Sequence, residues 1–475
     1  MSKKSSQRGS FNSNFGFLMA AVGSAVGLGN IWGFPYKMGM NGGFAFIIIY
    51  IAMAIFLGYP LMIGEIALGR KTGKSAIDAY RDCDPRFTFN GVFETIVPFL
   101  LLCFYCVLGG LVMKYMIVNV GDIFHASWGV NGTDPSKYFG NSIGHVGVDL
   151  AWMFGFLIIT AVIIMGGVSS GIEKFSKVAM PALYLLLLIT AIRCCTLKGA
   201  VGGLKFMFKP DFSALAGTGW LKVMAAAGSQ LFFSLSLASG CLIAFGSYMQ
   251  KEDDIQKSAF MIPLLDTIAA LAAGLCVMPA VFAEGLKPAG GPGLLFVSLQ
   301  YVFQKMGAGG AVFGFIFYLL VFIAALSSSI GMMEGGVAAL IDSRLKRGKS
   351  SGRTGMVLLA ICTTCIGAFL VAYDQLGGNT HFWKPFGMGS WLDVFDLGAE
   401  GILMPLGGLI MAVLFGWVHY GYLDDEVQIG SNYGSRKFVN FCFRWICPIV
   451  MAFIVFVQIS SFFFSKTGWY MALFG

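Results

Sequence analysis

The chain has 475 residues and a formal net charge of +8, with 57% hydrophobic and 12% charged residues. Ordinary soluble domains carry roughly 25% charged residues, so this is a membrane composition. The lysines and arginines fall in short segments between apolar runs, which sets aside the single basic stripe of a nucleic-acid binder and points to membrane orientation instead.

About 20 apolar residues cross a bilayer as a helix, and such runs recur from near residue 14 to near residue 463. The first five predicted spans are 14–39, 43–69, 91–121, 147–167 and 174–196. The remaining six are 218–248, 256–284, 309–342, 354–373, 389–419 and 437–463. This is an all-α integral membrane chain of about eleven helices, read as one transporter domain. Residues 1–13 form its N-terminal segment, 14–196 and 218–419 its two halves, and 437–463 an extra helix. The basic N-terminus and the apolar run ending near Gly23-Ser24-Ala25 imitate a signal peptide, but the run continues, so it is read as a span. Basic residues cluster at Lys3, Lys4 and Arg8, at Arg70, Lys71 and Lys74, at Arg344 to Arg353, and at Arg436 and Lys437. By the positive-inside rule these face the cytoplasm. An odd number of spans then places the C-terminus outside a cell membrane.

Two long connections, 122–146 and 285–308, face outward by this count. The first carries the Asn131 sequon; the second holds Lys287-Pro288 and Gly290-Gly291-Pro292, followed by Leu294, Leu295, Phe296 and Val297. That apolar stretch predicts a segment folded back over the protein as a lid. Cys103-x-x-Cys106 and Cys362-x-x-Cys365 have metal or redox spacing but lie inside spans, where small packed residues are the better reading.

The first span is interrupted by Gly23-Ser-Ala-Val-Gly27-Leu-Gly29-Asn30-Ile-Trp-Gly33-Phe-Pro35, and the sixth by Gln230-Leu-Phe-Phe233-Ser234-Leu-Ser236-Leu-Ala-Ser239-Gly240. Glycine and proline help a helix unwind. Gly23-x-x-x-Gly27 alone suits helix packing; Asn30, Pro35 and a second break five helices later favour interruption. Paired broken spans are the pointer to an inverted-repeat transporter with its site near the bilayer midplane. Freed amides there can hold a carboxylate and freed carbonyls Na⁺.

Gly23-Ser-Ala-Val-Gly-Leu-Gly-Asn30, Phe34-Pro35, Asn41-Gly-Gly and Pro60-Leu-Met-x-x-Glu65-x-x-Leu-Gly-Arg70 resemble the neurotransmitter:sodium symporter family, in its bacterial amino-acid branch, from Arg8 to about residue 463. The resemblance implies a LeuT-like fold of two inverted five-helix repeats with helices 1 and 6 broken. It also implies Na⁺-coupled symport of an amino acid or close analogue by alternating access, with two Na⁺. One Na⁺ site would use Ala25, Asn30, Ser234, Asp266 and the substrate carboxylate; the other would use Gly23, Val26, Ala324, Ser327 and Ser328. Hard oxygen ligands of this kind suit an alkali cation. Tyr105 and the amides of Leu28 and Gly29 would clamp the carboxylate. Leu101, Phe233, Ser236, Ser239, Ser329 and Met332 would line the side-chain pocket. Gly27 stands where monoamine carriers have Asp, which implies a substrate that brings its own carboxylate. Glu65 would accept from backbone freed at the sixth-span break, and Arg8 with Asp342 would form the cytoplasmic gate, with Phe11 in place of the usual Trp.

Several residues depart from the family pattern. Gly33 replaces the outer-gate Arg while its partner remains as Asp396, and Lys37, one turn on, is a candidate substitute. Ser239 replaces the aromatic that closes the pocket, which predicts a wider, more polar cavity able to take a large polar or cationic side chain. Asp393, Asp396 and Glu400 share one helical face and either reach the substrate, Glu400 foremost, or only line a vestibule. Tyr50, Gln230 and Ser234 match part of the chloride site of eukaryotic relatives, but Asp266 and Ala270 stand where those have Asn and Ser. A fixed carboxylate then replaces the anion, and transport is expected to need no chloride. Stranded without a cation, Asp266 is expected to return protonated.

A channel would need a ring of like groups along a pore. An enzyme finds no support in the scattered His125, His145, His381 and His419, or in Gly69-Arg-Lys-Thr-Gly73-Lys74-Ser75, one residue short of a phosphate loop. An amino-acid sensor that scarcely transports remains the alternative.

Overall fold

The computed structural model describes residues 8–285 and 293–464. All regular structure among them is helical, as the composition requires, because a backbone in lipid must satisfy its own hydrogen bonds. Among the described residues, nine helices are long and apolar enough to cross a membrane. They are Phe44–Thr72, Pro85–Ile123, Val146–Met165, Val168–Cys195, Ile255–Ala283, Gly310–Lys346, Arg353–Gly377, Trp391–Val418 and Arg436–Phe464. These correspond to the second to fifth and seventh to eleventh predicted spans.

The two remaining spans are the broken ones. Asn14–Ala25 and Gly29–Met40 together pass as one span bent by 48°. The sixth consists of Gly219–Leu235 and Cys241–Gly246, neither of which is long enough alone. At the first break Val26 is extended, at φ −77° and ψ 101°. At the second, Ser236, Ala238 and Gly240 all have positive φ, at 51°, 52° and 68°. Two of these three carry side chains, and left-handed backbone costs such residues roughly 1–2 kcal/mol each, so the break needs external support.

The third span is buried over 78% of its apolar stretch and the eleventh over only 28%. The third therefore runs through the centre, packed on the eighth, while the eleventh lies at the periphery. Exposed Ile158, Val162, Val178, Ile366 and Ile449 on the fourth, fifth, ninth and eleventh spans form the outward apolar surface that a bilayer covers.

Between the third and fourth spans the connection forms a helix, Pro135–Gly144, begun by Asp134 accepting from the Lys137 amide. In the other long connection Leu294, Leu295 and Phe296 are buried, and Tyr318 donates to the Leu295 carbonyl at 3.0 Å. The expected fold-back thus occurs; Lys287-Pro288 and Gly290-Gly291-Pro292 lie outside the described residues, as do Lys3 and Lys4.

Candidate functional site

The two breaks touch directly, Ser236 Oγ donating to the Ser24 carbonyl at 3.3 Å, with Tyr105 of the third span and Ser328 of the eighth against the first break. Where the first break frees backbone, the Leu28 amide donates to Tyr105 Oη at 3.0 Å and the Gly27 amide to Asn30 Oδ1 at 3.0 Å. A Cβ at Gly27 would lie 2.2 Å from Ser328 Oγ and 2.5 Å from Tyr105 Oη. A side chain there would have to displace both hydroxyls, so packing as well as sequence disfavours the ammonium-binding Asp of monoamine carriers. A small cavity of about 10 Å³ adjoins these groups, enough for one water. Its walls include Gly29, Leu101, Tyr105, Phe233, Ser236 and Met332.

Asp266 is fully buried and surrounded by donors. Tyr50 Oη reaches Oδ2 at 3.0 Å, Ser234 Oγ lies 3.0 and 2.9 Å from the two oxygens, and Asn30 Nδ2 is 2.7 Å from Oδ1. Three donors converge on one carboxylate, and its oxygens, Ser234 Oγ and Asn30 Oδ1 make a hard donor set of the type Na⁺ takes. Gln230 turns elsewhere, donating to the Gly29 carbonyl at 2.8 Å. A second oxygen cluster joins the first and eighth spans: Ser328 Oγ lies 3.3 Å from the Gly23 carbonyl and Ser327 Oγ 3.0 Å from that of Ala324. Val26, extended at the break, leaves the helix immediately beside them.

Some predicted pocket residues are engaged elsewhere. Ser239 donates to the Ser236 carbonyl at 2.5 Å, and Ser329 pairs with Thr160 of the fourth span at 2.9 Å; neither adjoins the Tyr105 cavity. Lys37 forms its ion pair with Glu400 rather than with Asp396, and Ser229 donates to the same carboxylate. Glu400 lies with Asp393, Asp396 and Gln458 around a separate cavity of about 300 Å³. In this conformation the acidic stripe lines that cavity, which shares no wall residue with the Tyr105 cavity. Of the residues expected to form the cytoplasmic gate, Arg8 Nε meets Asp342 Oδ1 at 3.0 Å, and the guanidinium lies 5.1 Å from the Tyr248 ring centroid. Ser75 donates to Asp342 through both its amide, at 2.8 Å, and its hydroxyl, at 2.6 Å.

Glu65 accepts from the Ala238 amide at 2.6 Å, supplying the support that the left-handed break requires. The sequence reading overlooked Thr160, Ser229, Glu94 and the buried Arg353–Glu334 pair, 2.5 Å apart. The rule that singled out Glu65, a carboxylate inside an apolar run, would have found Glu94 and Glu334; nothing in the sequence marks Thr160 or Ser229. Outside the spans, Asp84 is held well below the usual carboxylate range. Hydrogen bonds from the Arg86 guanidinium and amide are the main causes, followed by His419, whose ring nitrogen lies 3.0 Å away.

The family described as "Sodium:neurotransmitter symporter family" matches residues 8–130 and 136–472. The chain belongs to this family. An uncharacterized sodium-dependent transporter of Bacillus subtilis, YhdH, is 36% identical over 463 residues, covering 95% of this chain and 98% of the relative. A sodium- and chloride-dependent betaine transporter of Caenorhabditis elegans is 27% identical over 87% of this chain and 74% of its own. The crystal structure of MhsT in complex with L-phenylalanine superimposes with a TM-score of 0.85 at 35% identity, covering 95% of this chain and 99% of that one. The protein is accordingly a multi-pass membrane transporter rather than an enzyme. It has the LeuT-like fold with broken first and sixth helices, and couples a small-molecule substrate to Na⁺.

Proposed function

We propose that this symporter carries an amino acid or close analogue with two Na⁺ and without chloride, by alternating access in the cell membrane. The observation that supports an amino acid most directly is the first break. The Leu28 amide and Tyr105 hydroxyl meet there beside Gly27, at a small cavity whose walls also include Gly29, Ser236 and Ser328. MhsT, solved with L-phenylalanine, supports the same class. Leu101, Phe233 and Met332 in the cavity wall favour an apolar side chain, in place of the large polar or cationic one that Ser239 and Glu400 suggested. In this reading Ala25, Asn30, Ser234 and Asp266 hold one Na⁺, and Gly23, Val26, Ala324, Ser327 and Ser328 the other. Residues 14–196 and 218–419 are the inverted halves, with the N-terminus cytoplasmic and the C-terminus outside. Arg8 with Asp342 closes the inner side, and Lys37 with Glu400, beside Asp396, closes the outer.

Two Na⁺ in a desolvated site need about two negative charges, because isolated buried charges are prohibitively costly. The substrate carboxylate supplies one and Asp266 the other. Na⁺-gradient-driven uptake in proteoliposomes, against a panel of amino acids, tests the reading. Uptake undiminished in K⁺ without Na⁺ rejects the coupling, and binding without uptake makes the protein a sensor. Replacing Cl⁻ by gluconate is expected to leave uptake unchanged, whereas Asp266→Asn with Ala270→Ser should become chloride-stimulated.

A further inference from the structure

Where the fourth span turns into the fifth at Gly166-Gly167, a groove of about 540 Å³ opens on the flank of the protein. Its walls are apolar: Val162, Phe175, Val178 and Ala182 of these two spans, with Ile323 of the eighth. Val162 and Val178 are 63% and 72% exposed, so the groove opens on the surface that the bilayer covers and not on the substrate site. Ser170 and Lys174 alone bring polar side chains to it, and both are exposed. Lys177 is paired with Glu173 at 2.6 Å, and Arg353, which donates to the Ile164 carbonyl nearby, is paired with Glu334. Among the described residues no carboxylate pairs with Lys174. The Asn12 amide donates to Glu173 at 2.7 Å, which puts Lys174 at the membrane face that carries Arg8 and the N-terminal segment.

In lipid an apolar wall gains nothing by avoiding water, so what enters the groove does so for packing, and an empty groove would forfeit the dispersion contacts of its lining. An acyl chain meets that need; a soluble anion does not. The headgroup then decides which lipid is held. Lys174 can lay its stem along the apolar wall with its ammonium at headgroup level, and a basic residue at the surface favours anionic lipid by about 1 kcal/mol. A zwitterionic lipid brings its own cation to the phosphate and leaves Lys174 without a net partner. We propose that this groove binds one anionic phospholipid of the adjoining leaflet, with an acyl chain between Val162 and Val178 and the phosphate on Lys174 and the Ser170 hydroxyl. The volume falls within the roughly 300–1,000 Å³ of small-ligand sites. The chain packs on Ile323, and the next residue, Ala324, gives its carbonyl to the oxygen cluster of Ser327. The bound lipid therefore buttresses the eighth span one residue from the second proposed Na⁺ site.

Native mass spectrometry of the full chain, released from nanodiscs of equal phosphatidylglycerol and phosphatidylcholine with matched acyl chains, reads the site directly. The wild type is expected to retain one lipid and to prefer phosphatidylglycerol about fivefold, the ratio that corresponds to about 1 kcal/mol. Lys174→Gln should bring that preference close to one, and Ala182→Phe, which fills the groove, should remove the retained lipid whatever its headgroup. Equal retention of the two lipids by the wild type overturns the proposal, as does a preference unchanged in Lys174→Gln. Lys174 is exposed, so this arm stands even if Ala182→Phe fails to fold, and it is independent of transport. The second arm rests on the symporter reading: the Na⁺ concentration for half-maximal uptake should be severalfold lower in phosphatidylglycerol than in phosphatidylcholine proteoliposomes, and Lys174→Gln should erase the difference. A difference that survives in Lys174→Gln comes from the surface charge of the vesicle and refutes the buttress, as does equal Na⁺ dependence in both lipids. Absence of uptake in either lipid, with retention intact, counts against the symporter reading and not against the lipid site.

Discussion

Tyr105 is a single hydroxyl on a deeply buried helix, yet the proposed carboxylate clamp depends on it. Its oxygen now accepts from the Leu28 amide at 3.0 Å, and as a hydroxyl it can also donate to an anion. A hydrogen bond to a charged group is worth about 1.5–3 kcal/mol, so Tyr105→Phe is expected to weaken substrate binding roughly 10- to 100-fold. The fold should survive, because the ring keeps its packing. Calorimetric titration with the best substrate of the uptake panel checks this, and an unchanged affinity removes Tyr105 from the site. Gly27 was legible for the same reason that Tyr105 was: both belong to a motif whose neighbours are fixed by the fold. Glu400 was not. Its helical face could be read from spacing, but whether Lys37 or a substrate would meet it depends on how the first and tenth spans lie against each other. Ser239 misled in a similar way, since replacing an aromatic by a hydroxyl enlarges a pocket only if the hydroxyl faces it, and here it turns back to the Ser236 carbonyl.

At the level of elements, apolar length was enough to locate the unbroken spans, because hydrocarbon thickness fixes it. The breaks were visible through glycine, asparagine and proline, although the positive φ of Ser236 and Ala238 was not. That conformation comes from the tertiary hold of Glu65, and no local propensity announces it. The ends of the elements are tied by ion pairs whose loss has predictable sign. Arg8 and Asp342 have side chains 7% exposed, and removing one partner of a buried pair typically costs 3–5 kcal/mol. Arg8→Ala is expected to open that side, shifting the population by roughly a hundredfold or more. The readout is amide exchange at Ser75, whose N–H is bonded to Asp342; exchange as slow as in the wild type rejects the gate. Asp84, between the second and third spans, is a different case. Its ionised form is favoured in the fold by Arg86 and His419, so its contribution is complete above the unfolded carboxylate pKa of about 3.9 and is lost as pH falls through the lower folded value. Asp84→Ala should therefore lower the melting temperature equally at every pH from about 5 upward. The difference should shrink in stronger acid, and a gap that widens there would show that Asp84 acts otherwise.

For the whole molecule, the charges bound at the site decide what the membrane potential can do. Two Na⁺ entering with a zwitterion would move two charges, each worth roughly 2.3 kcal/mol per 100 mV, and two together correspond to about a 2,000-fold concentrating power per 100 mV. Asp266 alters this sum, because it is buried with three donors that serve an anion and must travel back after Na⁺ has left. An uncompensated carboxylate in the empty carrier is costly, and taking a proton from the cytoplasm removes that cost. With the two Na⁺ proposed above, a protonated return would make the cycle bring in two Na⁺ and return one H⁺, for a net movement of one charge per substrate. Uptake by proteoliposomes with a trapped pH dye is expected to make the lumen alkaline, and an imposed potential should shift the accumulation ratio with a slope of one charge. Asp266→Asn should abolish the pH signal even where it leaves some transport. A slope of two with a constant lumen pH would show that Asp266 returns ionised and that some group of the empty carrier neutralises it, for which Lys37, already tied to Glu400, is not free.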